Sequence, residues 1–508
     1  MARNFLLITT DQQRFDALGC NGGRIARTPN IDALAAAGLN YAQARNQSTV
    51  CMPARSTILT GQSIRRHGVT SNGIPLPAEA PSLAHHLKAH GYRTALLGKA
   101  HFEPHASKTY FENTAAGENN TGPHRGFDVM ELCGHTGRSG RSLFHYPKWL
   151  ADNHPEYVAG FHEYAVAGSP SNAGWTETGA PQVADNPIPV DLYHTHWTAE
   201  RTMAWLDGLT DEDKWFCWMS FPDPHHPWDP PRAAAEKFDW RELPLPDGYP
   251  GSPEKCLEIL DAKPRHWRQW YTGEARFNFE VPPDFVPAET TADQILEVNA
   301  KVHAENELID AAVGRVMDYL ERRGWDADTD VFFTTDHGEF QGDFGMLFKG
   351  PYHVDALMHV PFIWRPAPAA DIAAAQMADP VGHMDIAPTI SAAAGLGVPE
   401  WMQGAPLPDA PGEGGRERTI TEWFDAWEDH EIVLQTLYRD NWIVTAYGKT
   451  NFYEGHEGEL YNLTDDPHQW RNLWDDPGHA AIKSDLLADL RDNLPEGRPD
   501  PLEKVAPV

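Results

Sequence analysis

Short apolar runs that break off at polar, reactive side chains recur along the chain. Phe5 to Thr9 runs into Asp11, Thr94 to Leu97 into Lys99, Trp215 to Phe221 into His225, and Val331 to Phe333 into Asp336 and His337. Continuous apolar stretches this short read as strands covered on both faces. Helical periodicity fills the spaces between them. It marks Ile31 to Ala37, Leu83 to Ala89 closed by Gly91, and a long segment from about Ala292 to Arg323 whose Leu296, Val302, Ile309, Val313, Val316 and Leu320 form one stripe. Strands alternating with helices predict an α/β fold: a doubly wound, mostly parallel sheet with helices on both faces and a ligand crevice at the strand carboxyl ends. The apolar runs would then deliver their polar residues to one rim.

Two long intervals, 103–190 and 228–290, interrupt that pattern and are rich in Gly, Pro, Asn, His and Trp. Loops of such length are usually functional or partly structured caps, and here they are the expected source of substrate specificity. After the Pro- and Gly-rich stretch 399–415 the pattern changes to Thr419 to Trp423, Ile432 to Tyr438 and Trp442 to Tyr447, followed by a helix near Ala480 to Leu494. That predicts a small antiparallel sheet with one helix. The expected division is a catalytic domain over 1–398 and a C-terminal subdomain over 399–508.

Charge narrows the partners. Lys plus Arg number 41 against 73 Asp plus Glu, a formal charge of -32 over 508 residues, which excludes nucleic acid and anionic membrane surfaces as natural partners. An anionic substrate must therefore be drawn in by a local cluster of cations. The five cysteines, Cys20, Cys51, Cys133, Cys217 and Cys256, are scattered and without CxxC spacing, which suggests neither a disulfide framework nor a zinc site. The apolar run Phe5 to Ile8 is too short for a signal-peptide core or a membrane span. A cytoplasmic location is expected; the oligomeric state is not legible, and a homo-oligomer stays open.

The densest chemistry lies in Cys51-Met52-Pro53-Ala54-Arg55, continuing to Gly61. Pro53 suits the first turn of a helix, which places residue 51 at the helix N-terminus with free backbone donors facing an anion. Arg55, about one turn later, can return to that mouth. The alternative is an ordinary buried thiol at a loop-to-helix junction.

The string CMPARSTILTG resembles the CxPxRxxxxTG signature of the type I sulfatases, a formylglycine-dependent branch of the alkaline-phosphatase-like superfamily, and further segments follow in that family's order. The resemblance implies that Cys51 is oxidised to formylglycine by a maturation enzyme, and that the hydrated aldehyde is the nucleophile. TTDQQRFD implies Asp11 and Gln12 as metal ligands, and TTDHGE implies Asp336 and His337. The Asp-Gln and Asp-His pairs look more like the phosphonate monoester hydrolases and related sulfatases of the same superfamily than like the sulfatases with a second aspartate at the first site and an asparagine at the last. Hard carboxylates favour calcium, magnesium or manganese, and an imidazole tilts the choice towards manganese or another transition metal.

By the same resemblance Lys99, Lys349 and Arg55 hold a small anionic ester, and His101 handles a proton of the formylglycine diol. If the LLGKAHF segment is extended, Lys99 and His101 share a face. FPDPHHPW implies His225 as the acid for the leaving group, with His226 the alternative if the register shifts by one. Asn72 resembles a residue that binds the transferred group, though an Asn-Gly turn fits equally well. GELYNLTDDPHQWRNLWDDP resembles the family's final-strand motif. The expected activity is hydrolysis of sulfate monoesters. The rivals are a phosphonate monoester or phosphodiester hydrolase using the same residues, and a metal-stabilised binding protein in which Cys51 stays a thiol.

Overall fold

The computed structural model describes residues 3–105, 109–135, 144–157, 176–184, 186–278, 280–282, 284–412, 414–427 and 430–506. The strands are β1 (Asn4–Thr10), β2 (Leu39–Tyr41), β3 (Ala44–Arg45), β4 (Tyr92–Gly98), β5 (Val129–Leu132), β6 (Lys214–Ser220), β7 (Thr329–Thr335), β8 (Phe362–Arg365), β9 (Ala375–Met377), β10 (Val381–Gly382), β11 (Thr419–Trp427), β12 (His430–Arg439), β13 (Trp442–Tyr447) and β14 (Gly458–Asn462). Eight of them form one sheet in the order β5-β4-β6-β1-β7-β8-β2-β9. The four apolar runs are the adjacent strands β4, β6, β1 and β7, mutually parallel, so their carboxyl ends share one rim. β8 runs antiparallel to both its neighbours.

The unbroken apolar runs are explained by burial on two sides. Phe5 and Leu7 of β1 pack into one core with Met52, Ile58, Leu59, Leu83, Leu87 and Ile390. Leu6 and Ile8 pack into another with Ile31, Leu34, Ala199, Leu206, Ile309, Val313, Val316 and Leu320. Each fully buried aliphatic side chain contributes on the order of 1.5–3 kcal/mol, so the alternation fixes the strand register and the position of every residue at the rim. The long helix Ala292–Arg323 begins at a Thr291–Gln294 capping box and stops at Gly324 in the left-handed region. Its buried stripe starts on Ile295, with Leu296 only half-buried.

The intervals expected to lack periodicity contain β5 and the helices His145–Asn153, Pro253–Asp261 and His266–Tyr271. The C-terminal strands form an antiparallel sheet in the order β11-β12-β13-β14. One face packs Leu437, Val444 and Leu460 on Leu486 and Leu490 of the helix Ala480–Asn493. The other packs Ile432, Leu434 and Tyr447 with Trp267 and Phe277. All five cysteines are free. Among the described residues no helix is long and apolar enough to cross a membrane.

Candidate active site

Residue 51 opens the helix Cys51–Thr60, just beyond extended Val50, and every residue of this helix is buried. The helix lacks a side-chain cap from Val50; Asn72 supplies an acceptor instead, its Oδ1 taking the Met52 N–H at 3.0 Å. Arg55 then points inward. Its Nε donates to Asp336 Oδ2 at 2.8 Å, and Nη1 donates to Lys99 O at 3.0 Å and to Ser220 Oγ at 2.8 Å. Nη2 faces Thr10 O at 3.5 Å and Asp11 Oδ2 at 3.9 Å. The guanidinium thus ties together the carboxyl ends of β1, β4, β6 and β7. Nε and Nη1 are spent on the protein, while Nη2 keeps only the two longer contacts.

Around the Cys51 thiol, Asp11, Asp336 and His337 offer ligand atoms that all lie within 4.8 Å of one another and of Sγ. His337 Nε2 is 3.2 Å from Sγ, 3.6 Å from Asp11 Oδ1 and 3.7 Å from Asp336 Oδ1. His337 Nδ1 lies 3.0 Å from the Gly338 carbonyl and donates to it, which leaves Nε2 with its lone pair directed at the cluster. Burial pushes the His337 imidazole down to about 3, so it is neutral. Two buried carboxylates with one neutral imidazole suit a divalent cation.

Gln12 departs from the expected ligand set. Its backbone is left-handed (φ 66°), and its side-chain Nε2 donates to Glu339 Oε2 at 2.6 Å while Oε1 accepts from Lys349 Nζ at 2.8 Å. The amide is held by Glu339 on one side and Lys349 on the other, so it serves the lysine and not the carboxylate cluster.

The two lysines flank residue 51, with Lys99 Nζ 3.5 Å and Lys349 Nζ 3.6 Å from Sγ. Lys99 also pairs closely with Asp11. Burial pushes the Cys51 thiol upward more strongly than Lys349 and Arg55 pull it down, so a thiolate is disfavoured here. His101 does not share an extended face with Lys99. Its backbone turns left-handed (φ 58°) because Glu112 accepts the N–H groups of His101 and Phe102 at 3.0 and 2.9 Å. The His101 ring stacks on His105 at 4.0 Å, buried, and among the described residues neither ring nitrogen has a hydrogen-bond partner.

His225 and Glu280 each offer a ligand atom within 4.8 Å of Sγ. His225 Nδ1 is 2.5 Å from the His226 carbonyl, and its Nε2 is 2.7 Å from Lys349 Nζ. His226 is turned aside: Nδ1 lies 3.2 Å from Gln12 Nε2, and the ring packs edge-on to Trp228 and Phe348. Asn72 joins the site through Nδ2, which donates to Glu280 Oε1 at 3.2 Å.

Two residues enter without a sequence signal. His135 Nε2 lies 2.8 Å from Lys99 Nζ and 3.3 Å from Asp11 Oδ2, and its ring stacks on His225 at 3.8 Å. Glu280 pairs with Lys349 at 2.7 Å. Both come from the intervals without periodicity, where only their acid–base side chains marked them.

Residues 3–396 match the family model described as Sulfatase, and residues 342–495 match that of the N-sulphoglucosamine sulphohydrolase C-terminal region. The chain is 27% identical to the uncharacterized sulfatase YidJ of Escherichia coli (strain K12), over 97% of this chain and 87% of that protein. It is 26% identical to an arylsulfatase of Clostridium perfringens (strain 13 / Type A), over 93% and 90% of the two chains. In fold it is similar to the phosphonate monoester hydrolase of Agrobacterium radiobacter, with a TM-score of 0.76 at 24% identity, covering 96% and 95%.

Proposed function

The chain belongs to the sulfatase family of sulfuric ester hydrolases, and from that premise we propose that it hydrolyses sulfate monoesters through residue 51 after its oxidation to formylglycine. The observation that carries this reading is the position of Cys51: at a helix start, between two lysines, against two carboxylates and an imidazole. A protonated, buried thiol is a poor nucleophile, whereas a hydrated aldehyde in its place offers two hydroxyls. Oxidation requires a formylglycine-generating maturation enzyme.

Asp11, Asp336 and His337 would hold the divalent cation, calcium, magnesium or manganese, and when bound it would make the residue 51 hydroxyl more acidic. One diol oxygen, its proton released to solvent, bonds to sulfur as the bond from sulfur to the alcohol oxygen breaks. Lys99 and Lys349 face the sulfuryl oxygens, and Asn72 adds an amide donor. His225, taking up a proton at Nε2 in place of its hydrogen bond from Lys349, gives it to the departing oxygen. The second hydroxyl then passes its proton to His101, whose ring nitrogens have no partner among the described residues. The carbonyl re-forms as the carbon–oxygen bond to sulfate breaks, and water hydrates the aldehyde again. Arg55 acts as a positioning residue through Asp336 and the strand ends.

A second reading, phosphonate monoester or phosphodiester hydrolysis, is favoured by the Asp-Gln and Asp-His pairs at positions 11, 12, 336 and 337. Turnover of an aryl sulfate, a sugar sulfate, a phosphonate monoester and a phosphodiester by purified protein of verified mass at residue 51 tests both. Preference for a phosphorus ester over every sulfate ester would reverse the substrate assignment; a pure thiol at residue 51 in active enzyme would remove the nucleophile.

A further inference from the structure

The neighbours of the Glu280 carboxylate are groups suited to an anionic substrate. Oε2 lies 2.7 Å from Lys349 Nζ, 3.4 Å from His225 Nε2 and 3.9 Å from His226 Nε2. Oε1 accepts from Asn72 Nδ2, and the orientation of that amide is set by Met52 N donating to Asn72 Oδ1. A carboxyl group therefore sits among the cations and donors assigned to the ester, next to residue 51.

This placement is braced by the backbone. Glu280 N donates to Asn278 Oδ1 at 2.7 Å, and the Glu280 carbonyl accepts from Gln182 Nε2 at 2.9 Å. Asn278 Nδ2 donates to the carbonyl of Lys349 at 2.8 Å, so the segment carrying the carboxylate is tied to the segment carrying the lysine.

The charge balance follows. The Glu280 carboxylate sets a negative charge against Lys349, the cation nearest the leaving-group histidine. An ammonium has three N–H donors. Lys349 Nζ faces Gln12 Oε1 at 2.8 Å, His225 Nε2 at 2.7 Å and the Cys51 Sγ at 3.6 Å, and it forms an ion pair with Glu280 Oε2 at 2.7 Å. An incoming group must share Lys349 with Glu280. One negative charge spread over several oxygens can do so, but a second charge meets the carboxylate at close range in a site where Coulomb forces are several times stronger than in water. Burial works against ionisation of Glu280, but Lys349 outweighs it and holds the carboxyl at about 2.

We propose that Glu280 is a specificity-determining residue that restricts the transferred group to a single negative charge, admitting sulfate monoesters and other monoanionic esters and disfavouring dianionic phosphate monoesters. The inference rests on the sulfatase reading of the site and adds a charge filter that tetrahedral shape alone does not supply.

The test compares 4-nitrophenyl methylphosphonate with 4-nitrophenyl phosphate near neutral to mildly alkaline pH. The two share phosphorus and leaving group and differ by one charge, and 4-nitrophenyl sulfate serves as reference. In Glu280→Gln the kcat/KM ratio of phosphate to methylphosphonate is expected to rise about tenfold or more, while Glu280→Asp, which keeps the charge, holds the wild-type ratio. Calorimetric binding of phenyl phosphate and phenyl methylphosphonate to Cys51→Ala protein, with and without Glu280→Gln, repeats the comparison without turnover. An unchanged ratio, or equal losses for both esters, would make Glu280 a mere prop for Lys349 and overturn the proposal. Absence of any sulfate turnover by the wild type would sink the sulfatase reading, and the binding comparison would still decide the role of Glu280.

Discussion

Arg55 donates from Nε to Asp336 Oδ2 at 2.8 Å with both side chains fully buried, and the same guanidinium reaches the ends of four adjacent strands. Breaking a buried pair leaves the surviving charge without a partner, which costs about 3–5 kcal/mol. Arg55→Ala is therefore expected to lower the free energy of unfolding by that order and to abolish activity. Arg55→Lys keeps the charge but cannot bond several directions at once, so it should recover only part of the loss. An alanine variant with wild-type stability would show that the strand ends do not depend on this residue.

Residue 51 gives the second expectation. In protein produced together with a maturation enzyme, the peptide spanning residue 51 should have lost its sulfur and carry an aldehyde, and activity should scale with the aldehyde fraction. Cys51→Ala should abolish turnover while leaving the fold intact, since the helix start is fixed by Asn72 and Pro53 and not by the thiol. Mass spectrometry of active enzyme showing only thiol would refute this chemistry.

What was legible in the sequence lay where chemistry follows a strand or helix end. β1, β4, β6 and β7 each announce themselves by an apolar run, and the residue just past each run is at the rim because the run fixes its register. Local strings cannot show where a side chain turns after that. Gln12 and His101 both adopt positive φ, one held by Glu339 and Lys349 and the other by Glu112, and those partners are remote in sequence or lack a motif. Glu280 and His135 reach the site from segments without hydrophobic periodicity, so only three-dimensional convergence identifies them.

Acid stability offers a test away from the active site. His67 is buried, with Nδ1 accepting the Val69 N–H at 3.1 Å and Nε2 facing Thr57 Oγ1 at 3.0 Å. Burial, with Arg498 adding to it, pushes the imidazole down to about 3 from 6.5. The unfolded chain therefore takes up the proton first as pH falls. The contribution of His67 is full above about 6.5 and is lost progressively as pH falls towards 3, the loss reaching about 2 kcal/mol at about pH 5. Urea unfolding of wild type and His67→Gln at about pH 8 and about pH 5 should show the variant losing less stability on acidification. Parallel losses would place the acid sensitivity in other groups.

His225 and His226 are separated by leaving-group chemistry. His225 faces Lys349, Glu280 and residue 51, whereas His226 is engaged by Gln12 and packed against Trp228 and Phe348. A general acid matters most when the departing oxygen is a strong base, because an activated phenolate leaves without a proton. His225→Ala should therefore reduce kcat/KM for alkyl sulfates by about two orders of magnitude or more while sparing 4-nitrophenyl sulfate to a much greater degree. The dependence of rate on leaving-group pKa should steepen accordingly. His226→Ala disturbs Gln12 and the packing behind it, so its losses should be similar across the series. A steepened dependence in His226→Ala with a flat loss in His225→Ala would exchange the two assignments, and it would also require the His226 ring to rotate out of its contact with Gln12 in the working enzyme.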